Sequence, residues 1–324
     1  MEFRREFTPE PFDVKIKHTD RIMLIGSCFT EQMGSKLARV KFLTHENPNG
    51  ILFNPASIVK SIDSYLEEKV YRSEDLFEHN GIWGSWDHHT RFSDVNQDEA
   101  LRKINSAREN ATAFIKQADW LILTLGSAFL YAHHDGFFVA NCHKVPTDRF
   151  VKRLMKCDEI TLDLYEMILR LKKANPKLKV LFTISPVRHL REGFIENNRS
   201  KSMLIQSVHQ LTEMHTDVHY FPAYELVIDD LRDYRFYAED MVHPNYQATE
   251  YVWEKFQHTC FSLEDQALIK EIHQLVLAKN HRPFNPTSHQ HQSFMLKCAE
   301  KAKNLMSLHP HINLHEEMLF FTNN

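Results

Sequence analysis

Glycine is scarce in this chain of 324 residues, with 8 occurrences, so each one answers for a place where backbone must turn or approach closely. Cysteine is sparse too. Its 5 residues are odd in number and include no CxxC pair, which argues against a disulfide framework and a cysteine-rich zinc site. Nothing approaches the roughly 20 consecutive apolar residues that span a bilayer. The opening stretch MEFRREFTPEPFDVKIKHTD is charged and proline-punctuated, unlike a secretion signal, so a cytoplasmic location is expected. The net charge is −4 with both signs interspersed, which leaves no electrostatic footprint for nucleic acid. Repeats and low-complexity tracts are missing as well. Histidine, with 21 occurrences, is so common that a single one carries little information.

What remains is an alternation of short apolar runs and amphipathic stretches. RIMLIGS (21–27) reads as a buried strand ended by glycine, and TEQMGSKLARV as the helix that follows it. KFLTH is a candidate second strand before the turn-rich ENPNGILFNP, after which ASIVKSIDSYLEEKV is helical. Residues 71–97 read as an irregular or hairpin excursion, DEALRKINSARENATAFIKQA as a helix, and DWLILTLG (119–126) as a buried strand. A helix is expected over roughly 150–173, a strand over 177–186, a helix over 199–214, and a short strand at HYFPAYELV. HPNYQATEYVWEKFQ reads as a helix entered through proline at its first position. Strands that alternate with helices imply a parallel sheet covered on both faces, hence a three-layer α/β/α fold. Beyond about residue 262 no strand-like run recurs, and 262–279 and 290–308 are helical. The expected division is an α/β domain over 1–260 and a helical extension over 261–324.

Functional groups in such sheets gather at the carboxyl ends of the strands. Ser27 ends the first strand, Gly126-Ser127 a later one, and YAEDMVHPN precedes the last helix of the α/β part. A serine hydroxyl needs a general base within hydrogen-bond reach, and the base needs an acid on its other ring nitrogen. His243 and Asp240, three residues apart, supply that pair. The backbone N–H of Ser27, before a helix, is expected to help bind a developing oxyanion. Plainer readings stand beside these: Ser27 as a turn residue capping a helix, Asp240 as an acid near a helix dipole, His243 as a helix-entry residue. Cys28 is the rival nucleophile, or a small packed residue. Arg188 and His189 after the ISP stretch, and His143 with Cys142, are candidate pocket residues, the histidines equally readable as loop residues satisfied by backbone; Arg188 is a candidate partner for an anionic substrate group or simply for an acid of the chain. The clusters DHH (87–89) and HHD (133–135) lack the spacing of a defined metal motif, and Trp83 and Trp86 read as loop packing more than a sugar platform.

The segments GSCF, NGILFNP, LGSAFLY, NCHKVP, ISPVRH and DMVHPN, in that order, resemble the GSCFA family, which is placed with the SGNH or GDSL-like hydrolases. The resemblance covers roughly residues 20–257. It implies Ser27 as nucleophile, His243 as base, Asp240 as the acid, and Gly50 as the glycine whose N–H serves the oxyanion hole. Gly126 begins the block that usually supplies an asparagine donor; here Ser127 or nothing obvious stands in that place. Asn54, Asn141 and His143 are the candidates to replace it. Gly26 stands where GDSL-like enzymes carry aspartate.

The expected activity is acyl transfer from an ester, as an esterase with a small-molecule or carbohydrate ester as substrate and no cofactor. An O-acyltransferase on the same site and a non-catalytic module that keeps the fold are the alternatives, with metal-dependent and thiol chemistry behind them. The C-terminal helices are a candidate surface for a homo-oligomer.

Overall fold

The computed structural model describes residues 5–323. The chain opens with β1 (Arg21–Gly26), α1 (Cys28–Arg39), β2 (Leu43–Glu46) and α2 (Pro55–Leu66). A hairpin, β3 (Phe77–His79) and β4 (Ile82–Gly84), precedes α3 (Gln97–Ile115) and β5 (Trp120–Leu125). Then come β6 (Phe129–His133), β7 (Phe138–Val139), β8 (Phe150–Leu154), α4 (Cys157–Ala174), β9 (Lys179–Ile184) and α5 (Gly193–Met214). β10 (Val218–Tyr220) leads into the short α6 (Ala223–Glu225), which continues as a π-helical turn over Leu226–Leu231. α7 (Tyr246–Cys260), α8 (Leu263–Asn280), α9 (His289–Leu308) and α10 (His315–Asn323) complete the chain.

The central sheet has the order β10-β9-β5-β1-β2, and all its pairings are parallel. Its strands are apolar on both faces because both faces are covered. In β1, Ile22 and Leu24 join a core with α1 and α7, while Met23 and Ile25 join the opposite core with α2, α4 and α5. The two-residue period of a strand thus divides one apolar run between two layers. This is the three-layer α/β/α arrangement with a parallel sheet that the alternation predicts.

Three local expectations are corrected. Residues 150–154 are not helical: FVKRL alternates in exposure and pairs antiparallel with β6, so the helix begins only at Cys157. The helix expected from 199 starts six residues earlier, at Gly193. Pro244 is not the first residue of α7. Asn245 is the N-cap, its side chain accepting from the Ala248 N–H at 3.1 Å, and Pro244 bridges to Tyr237 outside the helix.

Helices α8 to α10 do not stand apart. Ile272, Leu305, Leu314 and Phe321 share one core with Leu24 and Trp120. His18 fastens this packing: its Nε2–H donates to the Val40 carbonyl at 2.8 Å, which leaves Nδ1 to accept from His311 Nε2 at 3.1 Å. Among the described residues no helix is long and apolar enough to cross a membrane.

Candidate active site

The loop before α7 folds back on itself. Met241 takes a left-handed conformation (φ 56°), and the Ala238 N–H donates to the His243 carbonyl at 2.8 Å. The reversal brings the Asp240 carboxylate under its own neighbours. Oδ1 accepts the N–H groups of Val242 (2.9 Å) and His243 (3.0 Å), and Oδ2 lies 2.6 Å from His243 Nδ1. These bonds, the backbone donors foremost, hold the Asp240 carboxyl at about 2, so it is ionised at neutral pH. The acid fixes the tautomer in which His243 Nδ1 carries the proton and Nε2 offers a lone pair.

Ser27 stands at the carboxyl end of β1 as the N-cap of α1. It is 1% exposed, and its Oγ accepts from the Phe29 N–H at 3.3 Å, which leaves the hydroxyl proton uncommitted. The Ser27 N–H donates to the Thr124 carbonyl at 3.2 Å. It is therefore bound into the sheet instead of standing free for an oxyanion, a correction to the sequence expectation. The N–H of Cys28, the first residue of α1, has no partner within the helix. Gly26 explains itself sterically: a Cβ there would lie 2.4 Å from the Thr124 carbonyl oxygen and 2.6 Å from Thr30 Oγ1, so aspartate has no room. Its N–H donates instead to the buried Asn47 Oδ1 at 2.8 Å.

Gly50 adopts φ +81° and its N–H donates to the Asn47 carbonyl at 2.7 Å, closing a turn. The N–H groups of Gly126 and Ser127 both donate to the Phe53 carbonyl, at 2.7 and 3.0 Å. Ser127 Oγ accepts from the Phe129 N–H at 3.2 Å and lies 3.3 Å from Ser200 Oγ. Asn141 Oδ1 accepts from the His143 N–H at 2.8 Å, and His143 Nε2 donates to the Ser85 carbonyl at 2.8 Å. In this structure these groups hold loops together. Asn54 differs: as N-cap of α2 its Oδ1 accepts from the Ser57 N–H at 2.8 Å, while its Nδ2 has no protein partner among the described residues.

A cleft of about 770 Å³ is bounded by Asn54 and Ser127, by the segment 139–147, by Arg188 to Glu192, and by Val242 beside His243. His189 stands at this wall, its ring 5.2 Å from that of Phe53. Its Nε2 is buried without a partner among the described residues, and burial presses the imidazole down to about 3, so it is neutral. Lys201 was not legible in the sequence. It lies on the inner face of α5, 1% exposed, with Nζ donating to the carbonyls of Gly126 (2.7 Å) and Ser185 (2.6 Å), the ends of β5 and β9. Burial pushes it down to about 7. Burial also raises the Cys28 thiol, opposite to the direction a thiolate nucleophile needs.

His88 is wholly buried, its Nδ1 3.0 Å from Ser85 Oγ, and Asp87 pairs with Lys60 at 2.5 Å. Trp86 stacks on Phe77 at 3.7 Å between ring centres, which makes it loop packing. Among the described residues no three His, Cys, Asp or Glu side chains are grouped to hold a metal.

Solved structures similar to this chain include a carbohydrate esterase family 3 protein from Talaromyces cellulolyticus, with 11% identity and TM-score 0.35 over 79% of this chain and 99% of that one. Another is an acetyl xylan esterase, Est2A, from the rumen bacterium Butyrivibrio proteoclasticus, with 11% identity and TM-score 0.36 over 80% of this chain and 64% of that one. No curated protein matches. The pattern of the GSCFA family matches residues 21–256, and that of the GSCFA domain protein, C-terminal domain, matches 272–324. By those two matches, which take in the sheet, the Ser27 turn, the Asp240–His243 loop and the last helices, the chain belongs to the GSCFA family.

Proposed function

We propose that the protein is a serine esterase of the SGNH type, with Ser27 as nucleophile, His243 as base and Asp240 as the orienting acid. The observation that carries this reading is the 2.6 Å bond between Asp240 and His243, made by a carboxylate already ionised and fixed by two backbone donors. An imidazole so held is suited to proton exchange at Nε2. Ser27 Oγ attacks the ester carbonyl while His243 takes its proton. The imidazolium then protonates the leaving alkoxide, and water releases the acyl group by the same steps in reverse order. A hydroxyl acceptor in place of water makes the same site an acyltransferase. The Cys28 N–H and Asn54 Nδ2 are the donors assigned to the oxyanion, because the other candidates are committed within the fold. The division at residue 260 into an α/β domain and a helical extension belongs to the same proposal.

The test is a screen of short-chain 4-nitrophenyl esters and acetylated sugars with wild type and Ser27→Ala, alongside labelling by a fluorophosphonate. Turnover and labelling are expected in wild type, with kcat lower by about 10³-fold or more in the variant. A variant that keeps its rate removes the assignment.

A further inference from the structure

The cleft beside the His243 loop carries an imbalance of charge. Its one acidic wall residue, Glu192, is satisfied by Lys152 and by the Tyr131 hydroxyl at 3.2 Å. Its cations Lys144, Arg188 and Arg191 have no carboxylate within ion-pair distance among the described residues. Arg188 is the best placed of the three. Its N–H donates to the Val242 carbonyl at 3.2 Å, which ties it directly to the loop of Asp240 and His243. Its guanidinium carbon sits 4.2 Å from the ring centre of Tyr237 and 5.0 Å from that of Tyr234. Two aromatic rings therefore hold the group by its faces, and the Tyr237 hydroxyl also bears on the guanidinium. Nη1 is buried with no hydrogen-bond partner that meets the geometry of one among the described residues.

A buried donor left unmade destabilises a fold. The acceptor that best matches a fixed guanidinium is a planar or tetrahedral oxyanion. Arg191 and Lys144, exposed at the rim, add attraction without geometric demand.

We infer that the cleft binds an oxyanion carried by the substrate, a carboxylate or a phosphate, with Arg188 as its anchor and Arg191 and Lys144 at the entrance. The ester is thus an acidic one. This rests on the acyl-transfer reading above for its place in the reaction, although the anion site itself does not.

The experiment compares kcat/KM for phenyl acetate with that for 4-acetoxybenzoate and for 4-acetoxyphenyl phosphate, in wild type, Arg188→Met and Arg191→Gln. In wild type the charged esters are expected to be preferred by about tenfold, the size of one charge-assisted hydrogen bond. Arg188→Met should abolish that preference, Arg191→Gln should weaken it, and added salt should lessen it. The carboxylate and phosphate arms show which oxyanion fits. A charged-to-neutral ratio unchanged within twofold in both variants overturns the inference. If no ester turns over, the acyl-transfer reading falls, and the anion site is judged separately. Inorganic phosphate and benzoate should then raise the melting temperature of wild type and not of Arg188→Met. No shift with either anion overturns the site.

Discussion

The Lys201 Nζ donates to the carbonyl of Gly126 across 2.7 Å, closing the carboxyl end of β5 from within the core. A second bond to Ser185, at 2.6 Å, makes one buried side chain the clamp between β5 and β9. Gly126 is as small as this place allows: a Cβ would fall 2.8 Å from Phe53 Cβ and 2.9 Å from His189 Nε2.

Lys201→Met should therefore destabilise the protein, because two buried carbonyls lose their donor. The net loss is expected at about 2 kcal/mol, the orphaned carbonyls outweighing the relief of no longer burying an amine. Urea denaturation of wild type and variant measures it. A variant as stable as wild type would show that the clamp contributes nothing.

Asp240→Asn replaces the oxygen facing His243 Nδ1 with an amide that favours the wrong tautomer. In the proposed mechanism kcat should fall by roughly 10²- to 10⁴-fold with the fold intact. Because Asp240 is held at about 2, its own protonation contributes no loss of activity above about pH 3. Circular dichroism together with ester turnover checks both halves of this statement. Unchanged turnover would reduce the pair to a loop brace.

Several histidines are buried in their neutral form, His88 most deeply, with burial pressing it from 6.5 to about 3. His18, His45, His143, His189 and His219 are lowered by the same cause. The unfolded chain takes up these protons first. Each such group therefore contributes stability that is fully present above pH 6.5 and lost as pH falls toward the folded value. Glu46, raised by burial from 4.5 to about 7, acts oppositely, its contribution being lost as pH rises through that range. His88→Phe keeps the edge contacts to Tyr71 and Phe92 and removes one histidine from the balance. Melting temperatures between neutral and mildly acidic pH should fall less steeply for the variant than for wild type. Parallel curves would refute the contribution of His88.

The parts most legible beforehand were those decided by local chemistry. A run such as RIMLIG has no polar face to turn to water, so it is a strand covered on both sides wherever it lies. The Asp240–His243 pair could be read from a spacing of three residues, since one tight turn suffices to join them. The strand at 150–154 was missed because its pairing partner β6 lies some twenty residues away, and a five-residue alternation is too short to outweigh the helix that follows. α10 was missed as well, its apolar residues Met318, Phe320 and Phe321 gaining meaning only against α8 and α9.

By itself, then, the sequence determined the alternation of elements, the two-sided sheet and which residues stand at its carboxyl edge, because hydrophobic period and turn chemistry act over a few residues. Tertiary structure alone decided which polar groups remain available for chemistry. The N–H groups of Ser27, Gly50 and Gly126 look free in a string of letters and are bound to Thr124, Asn47 and Phe53 in the fold. Lys201 looks like a surface lysine on a helix and is a buried clamp, while Arg188 sits between two tyrosines with no carboxylate partner among the described residues. A hydrogen bond depends on positions accurate to a few tenths of an ångström, and only the packed chain sets those.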